Sequence, residues 1–190
     1  MLNGDRHAGM PSSEKPESNP QDVLKAFITD VPDYPIEGVI FRDITPLLQH
    51  SAMFKYAIDL MTKPHHFQEI DLVVALEARG FLLAAPIALE LNVGFAPIRK
   101  AGKLPRQTHK ALAELEYGLA ELEIHQDAIR KGQKVLLVDD VLATGGSARA
   151  AIDLIEQLGA QVVEAQFLIE LSFLKGRDKL SVPVNSIIGY

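Results

Sequence analysis

The 190 residues include no cysteine. Disulfides, thiolate nucleophiles and cysteine-based zinc sites are therefore excluded, and a reducing cytosol is the expected compartment. No apolar run approaches the roughly 20 residues of a membrane-crossing helix. The opening stretch MLNGDRHAGMPSSEKPESNP lacks the apolar core of a secretory signal. Its Gly, Pro, Ser and charged residues make residues 1–20 a disordered tail in this reading. Internal repeats are missing, and so are two nucleotide fingerprints: GxxxxGK followed by Ser or Thr, and GxGxxG. Positive charge is in deficit. The net charge of −6 argues against nucleic acid or an anionic membrane as the main partner, although a small basic site is compatible with it. None of the six histidines has a partner at metal-ligand spacing, so they are expected to be solvated or core residues.

What is present is a globular composition, 47% hydrophobic, enough for one domain over residues 21–190. Asp22–Val31 is expected to form a short amphipathic helix. Asp33–Leu48 mixes Pro and Gly with VIF, a loop-strand-loop pattern. Phe54, Ala57, Ile58 and Met61 follow helical spacing, and Lys63-Pro64 ends that helix. IDLVVAL (70–76) and VLLV (135–138) are unbroken apolar runs, the mark of strands buried on both faces. FLLAAPIALEL predicts a helix and GFAPIR a strand. Lys100–Lys110 is basic, with Gly and Pro, and is expected to be a mobile loop. ELEYG and ELEIH alternate like the strands of a hairpin. Ala148, Ala151, Ile152 and Ile155 again have helical spacing, Gly159 is the expected left-handed cap, and QVVEAQFLIE is one more strand. The alternation predicts an α/β fold with a mostly parallel twisted sheet flanked by helices.

The segment KVLLVDDVLATGGS (134–147) carries the most chemistry. Ligands of an open parallel sheet sit beyond the carboxyl ends of its strands, where Asp139 and Asp140 are expected. Ala143-Thr144-Gly145-Gly146-Ser147 then leads into a helix, whose free amides and dipole favour an anion. The glycines let the backbone wrap a phosphate, and Thr144 and Ser147 add hydroxyl donors. Carboxylates next to a phosphate must face something other than the phosphate, and sugar hydroxyls donate to carboxylates. A ribose 5-phosphate satisfies both halves.

Val135–Ser147 resembles the phosphoribosyl pyrophosphate signature of type I phosphoribosyltransferases. GVIFRDITP (38–46), EARGF (77–81), IRKAGKLP (98–105), LEYG (115–118), ELEIH (121–125) and LIEL (168–171) are similar, in order, to the adenine phosphoribosyltransferase family. The likeness runs from about Asp30 towards Tyr190. It implies the type I fold with a small hood and a mobile basic lid loop. It also implies transfer of the phosphoribosyl group to N9 of adenine, giving AMP and pyrophosphate, with magnesium held mainly through substrate oxygens and no direct metal ligand from the protein. A homodimer in the cytoplasm is likewise implied.

By the same resemblance, Ala143–Ser147 cradles the 5′-phosphate, while Asp139 and Asp140 take the ribose hydroxyls and face the charge that develops at the anomeric carbon. Arg79, with Arg99, Lys100 and Lys103 on the lid, would bind pyrophosphate. Glu116 is the expected general acid/base at the imidazole edge of adenine, and Tyr117 helps close the lid. Phe41 and Leu171 would sandwich the base, and the backbone of Ile40 and Arg42 would read its amino edge. A cis peptide bond is expected within Glu77–Ala78–Arg79. Ser147 stands where many members have Thr, which keeps the hydroxyl. Ala113 stands where many have Tyr, so no role is carried onto it. A nucleotide-sensing DNA-binding regulator would need a basic module that is not visible, and another base specificity is opposed by FRDIT and LEYG.

Overall fold

The computed structural model describes residues 19–66, 68–115 and 118–190. The chain starts with α1 (Pro20–Lys25), whose first turn is capped by the Asn19 side chain accepting from Gln21 N at 3.2 Å. The expected helix over 22–31 stops there. Thr29 and Val31 instead enter strand β1 (Thr29–Pro32), antiparallel to β2 (Ile40–Asp43). Strand pairing has overridden a helical pattern less than three turns long. Beyond β2 the expected loop is helical: α2 (Thr45–Gln49) begins where the Asp43 carboxylate accepts from Thr45 N at 2.9 Å and Thr45 Oγ1 at 2.7 Å. The next helix is α3 (Ser51–Thr62), followed by β3 (Leu72–Leu76) and α4 (Arg79–Glu90). After these come β4 (Gly94–Lys100), β5 (Thr108–Leu115) and β6 (Gly118–His125). The chain finishes with β7 (Lys134–Leu142), α5 (Gly146–Gln157), β8 (Gln161–Glu170) and β9 (Val184–Gly189).

Seven strands form the main sheet in the order β5-β6-β4-β3-β7-β8-β9. Neighbours from β4 to β9 run parallel, and the β5–β6 hairpin joins antiparallel through β4. The small β1–β2 ribbon stands apart from it as the hood. Burial on both faces accounts for the unbroken apolar runs. Leu72, Val74 and Leu76 of β3 pack with Val135 and Leu137 against α5, while Val73, Ala75, Leu136 and Val138 pack against α3 and α4 on the other side. Gly159, at φ 81°, closes α5, its N–H donating to Glu156 O at 2.8 Å.

Three sequence expectations change here. The hairpin is longer than expected: β5 begins at Thr108 and β4 takes in Lys100, so the connecting loop is only 101–107. Asp139 and Asp140 lie inside β7 rather than beyond it, because Val141 and Leu142 still pair with Ile169 and Glu170. Edge strand β9 has no counterpart in the sequence reading. The expected tail falls almost wholly on residues 1–18, outside those described.

Candidate active site

The carboxyl ends of β3, β7 and β8 and the hood enclose a cleft of about 540 Å³. Ile40, Phe41 and Arg42 line it from the hood, Leu171 from the end of β8, and Arg79, Asp139, Asp140, Ala143 and Ser147 from the sheet edge. The Glu77–Ala78 peptide bond, between β3 and α4, is cis. Arg79 opens α4 and forms an ion pair with Asp140, Nε to Oδ2 at 2.5 Å, while its guanidinium lies 4.7 Å from the centre of the Phe41 ring. Gly80 lets α4 come close to β7. A Cβ there would sit 2.6 Å from Asp139 Oδ1 and displace that carboxylate.

Asp139 is half-buried and Asp140 buried, with Asp139 Oδ1 accepting from Asp140 N at 2.9 Å. Burial pushes the Asp139 carboxyl well above the usual carboxylate range, and the neighbouring Asp140 charge pushes it further. Burial also raises Asp140, opposed by Arg79. The pair therefore resists carrying two negative charges until positive charge or donor hydroxyls arrive.

Beside this pair, Ala143–Ser147 lines a hollow of about 250 Å³ at the start of α5. Gly145 adopts φ 81° and its Cα faces the carbonyl of Gly176, with no room for a Cβ. Gly146 is equally confined by the carbonyl of Glu114 on β5. The end of the hairpin thus rests on the phosphate-type loop. Amides at the head of a twelve-residue helix converge on this hollow, which suits an anion.

Arg99, Lys100 and Lys103 gather on one carboxylate that the sequence reading left without a role. Glu77 accepts from Arg99 Nε at 2.9 Å, Lys103 Nζ at 2.8 Å and Lys100 N at 3.1 Å. Burial raises its carboxyl, but these donors outweigh burial and hold it at about 2. The 101–107 loop is further tied by Lys103 N and Leu104 N donating to buried Glu123, at 2.8 and 2.9 Å. Arg79 is therefore in the cleft, whereas Arg99 and Lys103 stand behind it around Glu77. Glu116 and Tyr117 lie outside the described residues. Their neighbours Leu115 and Gly118 are register partners at the end of the hairpin.

A phosphoribosyl transferase domain model matches residues 43–182. The chain is 54% identical over 159 residues to adenine phosphoribosyltransferase of Thermobifida fusca, covering 84% of this chain and 90% of that protein. The chain belongs to the adenine phosphoribosyltransferase family. The crystal structure of the Thermoanaerobacter pseudethanolicus adenine phosphoribosyltransferase matches with a TM-score of 0.87 at 47% identity, covering 90% of this chain and 99% of that one. The Saccharomyces cerevisiae enzyme, complexed with adenine and an imino-altritol bisphosphate, matches with a TM-score of 0.85 at 43% identity, covering 90% and 99%. The sheet and flanking helices are the type I phosphoribosyltransferase fold.

Within this adenine phosphoribosyltransferase fold, sequence reasoning missed Pro35, Val39, Glu77, Ala78 and Val141 as cleft walls. Pro35 and Val39 flank FRDIT, and Glu77 and Ala78 stand within the EARGF segment, so the signal was there but no chemistry demanded them. Gly176 had no local signal at all: it matters because the fold brings it against Gly145. None of the described histidines lines the cleft. His65 is buried with Nε2 3.2 Å from Gln166 Oε1, and the His50 side chain accepts at the start of α3.

Proposed function

We propose that the chain binds adenine between Phe41 and Leu171 and phosphoribosyl pyrophosphate across Asp139–Ser147, and joins them to give AMP and pyrophosphate. One observation carries this: a cleft that joins an apolar slot, a carboxylate pair and an arginine shares Asp139, Ala143 and Ser147 with the adjoining hollow at the glycine-rich helix start.

In the reaction a bond forms from N9 of adenine to the anomeric carbon as the bond from that carbon to the pyrophosphate oxygen breaks. Asp139 and Asp140 accept hydrogen bonds from the diol and stabilise positive charge on the ring. Arg79, already aimed at this point by Asp140, meets the departing pyrophosphate, and Arg99, Lys100 and Lys103 supply the positive rim behind it. Glu116 takes the N9 proton. The β5–β6 hairpin closes over the reacting carbon and excludes water, with Tyr117 helping to close the site. The backbone of Ile40 and Arg42 reads the amino edge of the base.

The donor set suits magnesium carried by substrate. A hard cation here would draw its ligands mainly from phosphate and ribose oxygens and from water. When bound, the ion neutralises charge on the pyrophosphate. The protein is proposed to work as a cytoplasmic homodimer; light scattering on a size-exclusion column gives its mass. Among the described residues no helix is long and apolar enough to cross a membrane.

A panel of adenine, hypoxanthine, guanine, xanthine and orotate, each with phosphoribosyl pyrophosphate and magnesium, tests the reading. Adenine alone should turn over; turnover of another base without adenine would overturn the specificity. Glu116→Gln should lower kcat while sugar-phosphate affinity holds, and an unchanged kcat would remove its acid/base role.

A further inference from the structure

Tyr190 lies outside every role assigned above, yet it touches both walls of the base slot. Its backbone brackets Leu171. Tyr190 N donates to Glu170 O at 2.9 Å, and Tyr190 O accepts from Ser172 N at 3.0 Å, so the residues on either side of Leu171 are both tied to it. Leu171 N itself donates to Leu142 O at 2.9 Å. The Tyr190 ring reaches the opposite wall. The guanidinium carbon of Arg42 stands 3.9 Å from its centroid, and the Lys25 ammonium lies 4.9 Å from it. Arg42 follows Phe41 on β2 and is also paired with Asp30 on β1.

We infer that Tyr190 is a positioning residue for the base subsite, setting the gap between the Phe41 wall and the Leu171 wall. The inference rests on the proposed placement of adenine between those two side chains. The hood is a two-stranded ribbon with no strand partner in the main sheet, and a lone ribbon of four-residue strands is marginal by itself. Something must hold it at one distance from β8. The ring under Arg42 does so through its face, which attracts a cation best when partly desolvated; Tyr190 and Arg42 are both half-buried. Meanwhile the backbone of the same residue fixes Leu171. A planar base needs its two walls at one separation, so loosening either end costs base affinity first.

The phosphate loop does not depend on this tie. Its supports are Gly176 and Glu114, and the carboxylate pair rests on β7. The effect of losing the ring is therefore specific to one substrate, which a purely structural role does not predict.

The experiment compares Tyr190→Leu, Tyr190→Phe and Leu171→Ala with the unaltered chain, measuring KM for adenine, KM for phosphoribosyl pyrophosphate, kcat and Tm. Tyr190→Leu should raise the adenine KM about tenfold and leave the phosphoribosyl pyrophosphate KM within about twofold, as expected for a lost cation–ring contact of this kind. Tyr190→Phe, which keeps the ring face, should restore the adenine KM. Leu171→Ala should raise the adenine KM independently, reporting on the slot. If Leu171→Ala acts but Tyr190→Leu changes only Tm, or raises both KM values alike, the positioning role is overturned and the slot stands. If neither variant moves the adenine KM, the slot reading falls and the role of Tyr190 falls with it. Should Tyr190→Leu fail to fold, Tyr190→Phe decides: it keeps the aromatic face, and a tenfold rise in its adenine KM would overturn the inference.

Discussion

At Asp139 and Asp140 the molecule sets stability against function. Both carboxyls are raised, Asp139 by burial and then by Asp140, and Asp140 by burial against the pull of Arg79. A group whose folded value lies above its unfolded value favours the folded state at low pH, and that advantage is lost as pH rises through the folded value. Removing the Asp139 charge should therefore raise Tm at pH 8, with less effect near pH 4, while kcat falls by about 10²-fold as stabilisation of the sugar cation is lost. Asp140→Asn strips the partner from Arg79 and should not give that gain. Calorimetry at the two pH values, paired with initial rates, checks both. The acid limb of kcat/KM should lie above the range of ordinary aspartates, about 4; a limb at or below it would remove the coupling.

Gly146 offers a second test at this scale. It faces the Glu114 carbonyl of β5 with no room for a methyl group. Gly146→Ala must push the hairpin away from the phosphate-type loop, since the opposing atom is backbone. The expected result is a rise of at least tenfold in the KM for phosphoribosyl pyrophosphate and a smaller change for adenine. Substrate-dependence of initial rates reads it, and equal effects on both substrates would mean that the hairpin contact is general rather than local.

Among elements, the junction of β3, α4 and β4 is organised by Glu77, whose depressed carboxyl is a stability statement. Its charge supports the fold above its unfolded value, 4.5, and that support disappears as pH falls to about 2. Glu77→Gln should thus cost about 1–2 kcal/mol at pH 7, allowing for solvent around half-exposed Lys103 and Arg99. The deficit should shrink between those two pH values; a constant deficit in urea titrations would point to packing instead. Such elements also mark what the sequence could express. Strands β3 and β7 and helices α3, α4 and α5 were legible because burial on two faces or on one helical stripe leaves a local pattern. Strand β1, helix α2 and strand β9 were not. The Thr29–Pro32 strand exists because β2 pairs with it, and β9 (VNSIIG) sits at an edge, half-buried, paired only with β8. In the site the same division holds. Asp139 to Ser147 are contiguous, so strand, acids and turn could be read together. The grip of Glu77 on Arg99 and Lys103, the Gly176–Gly145 contact and the ring of Tyr190 under Arg42 each join distant segments, and spacing along the chain carries no trace of them.

For the molecule as a whole, the question is where the domain begins. The proposal of a single domain preceded by a disordered tail is tested at Asn19, which caps α1 through its side chain and whose carbonyl accepts from Asp22 N at 2.9 Å. Helix α1 itself is anchored. Leu24 is fully buried in the core shared by α3, α4 and β8, and Lys25 lies over the Tyr190 ring. A chain starting at Asn19 should keep its Tm within about 2 °C and retain its rate with adenine, since no anchored contact among the described residues is lost. A chain starting at Phe27 removes Leu24 from a packed core, at about 3 kcal/mol. For a domain of this size that is a fall of about 6–12 °C, and the loss of Lys25 also loosens the Tyr190 ring under the hood. Differential scanning calorimetry and adenine KM values on the two truncations separate these outcomes. If the Asn19 chain melts as early as the Phe27 chain, the first eighteen residues belong to the domain and the boundary moves upstream.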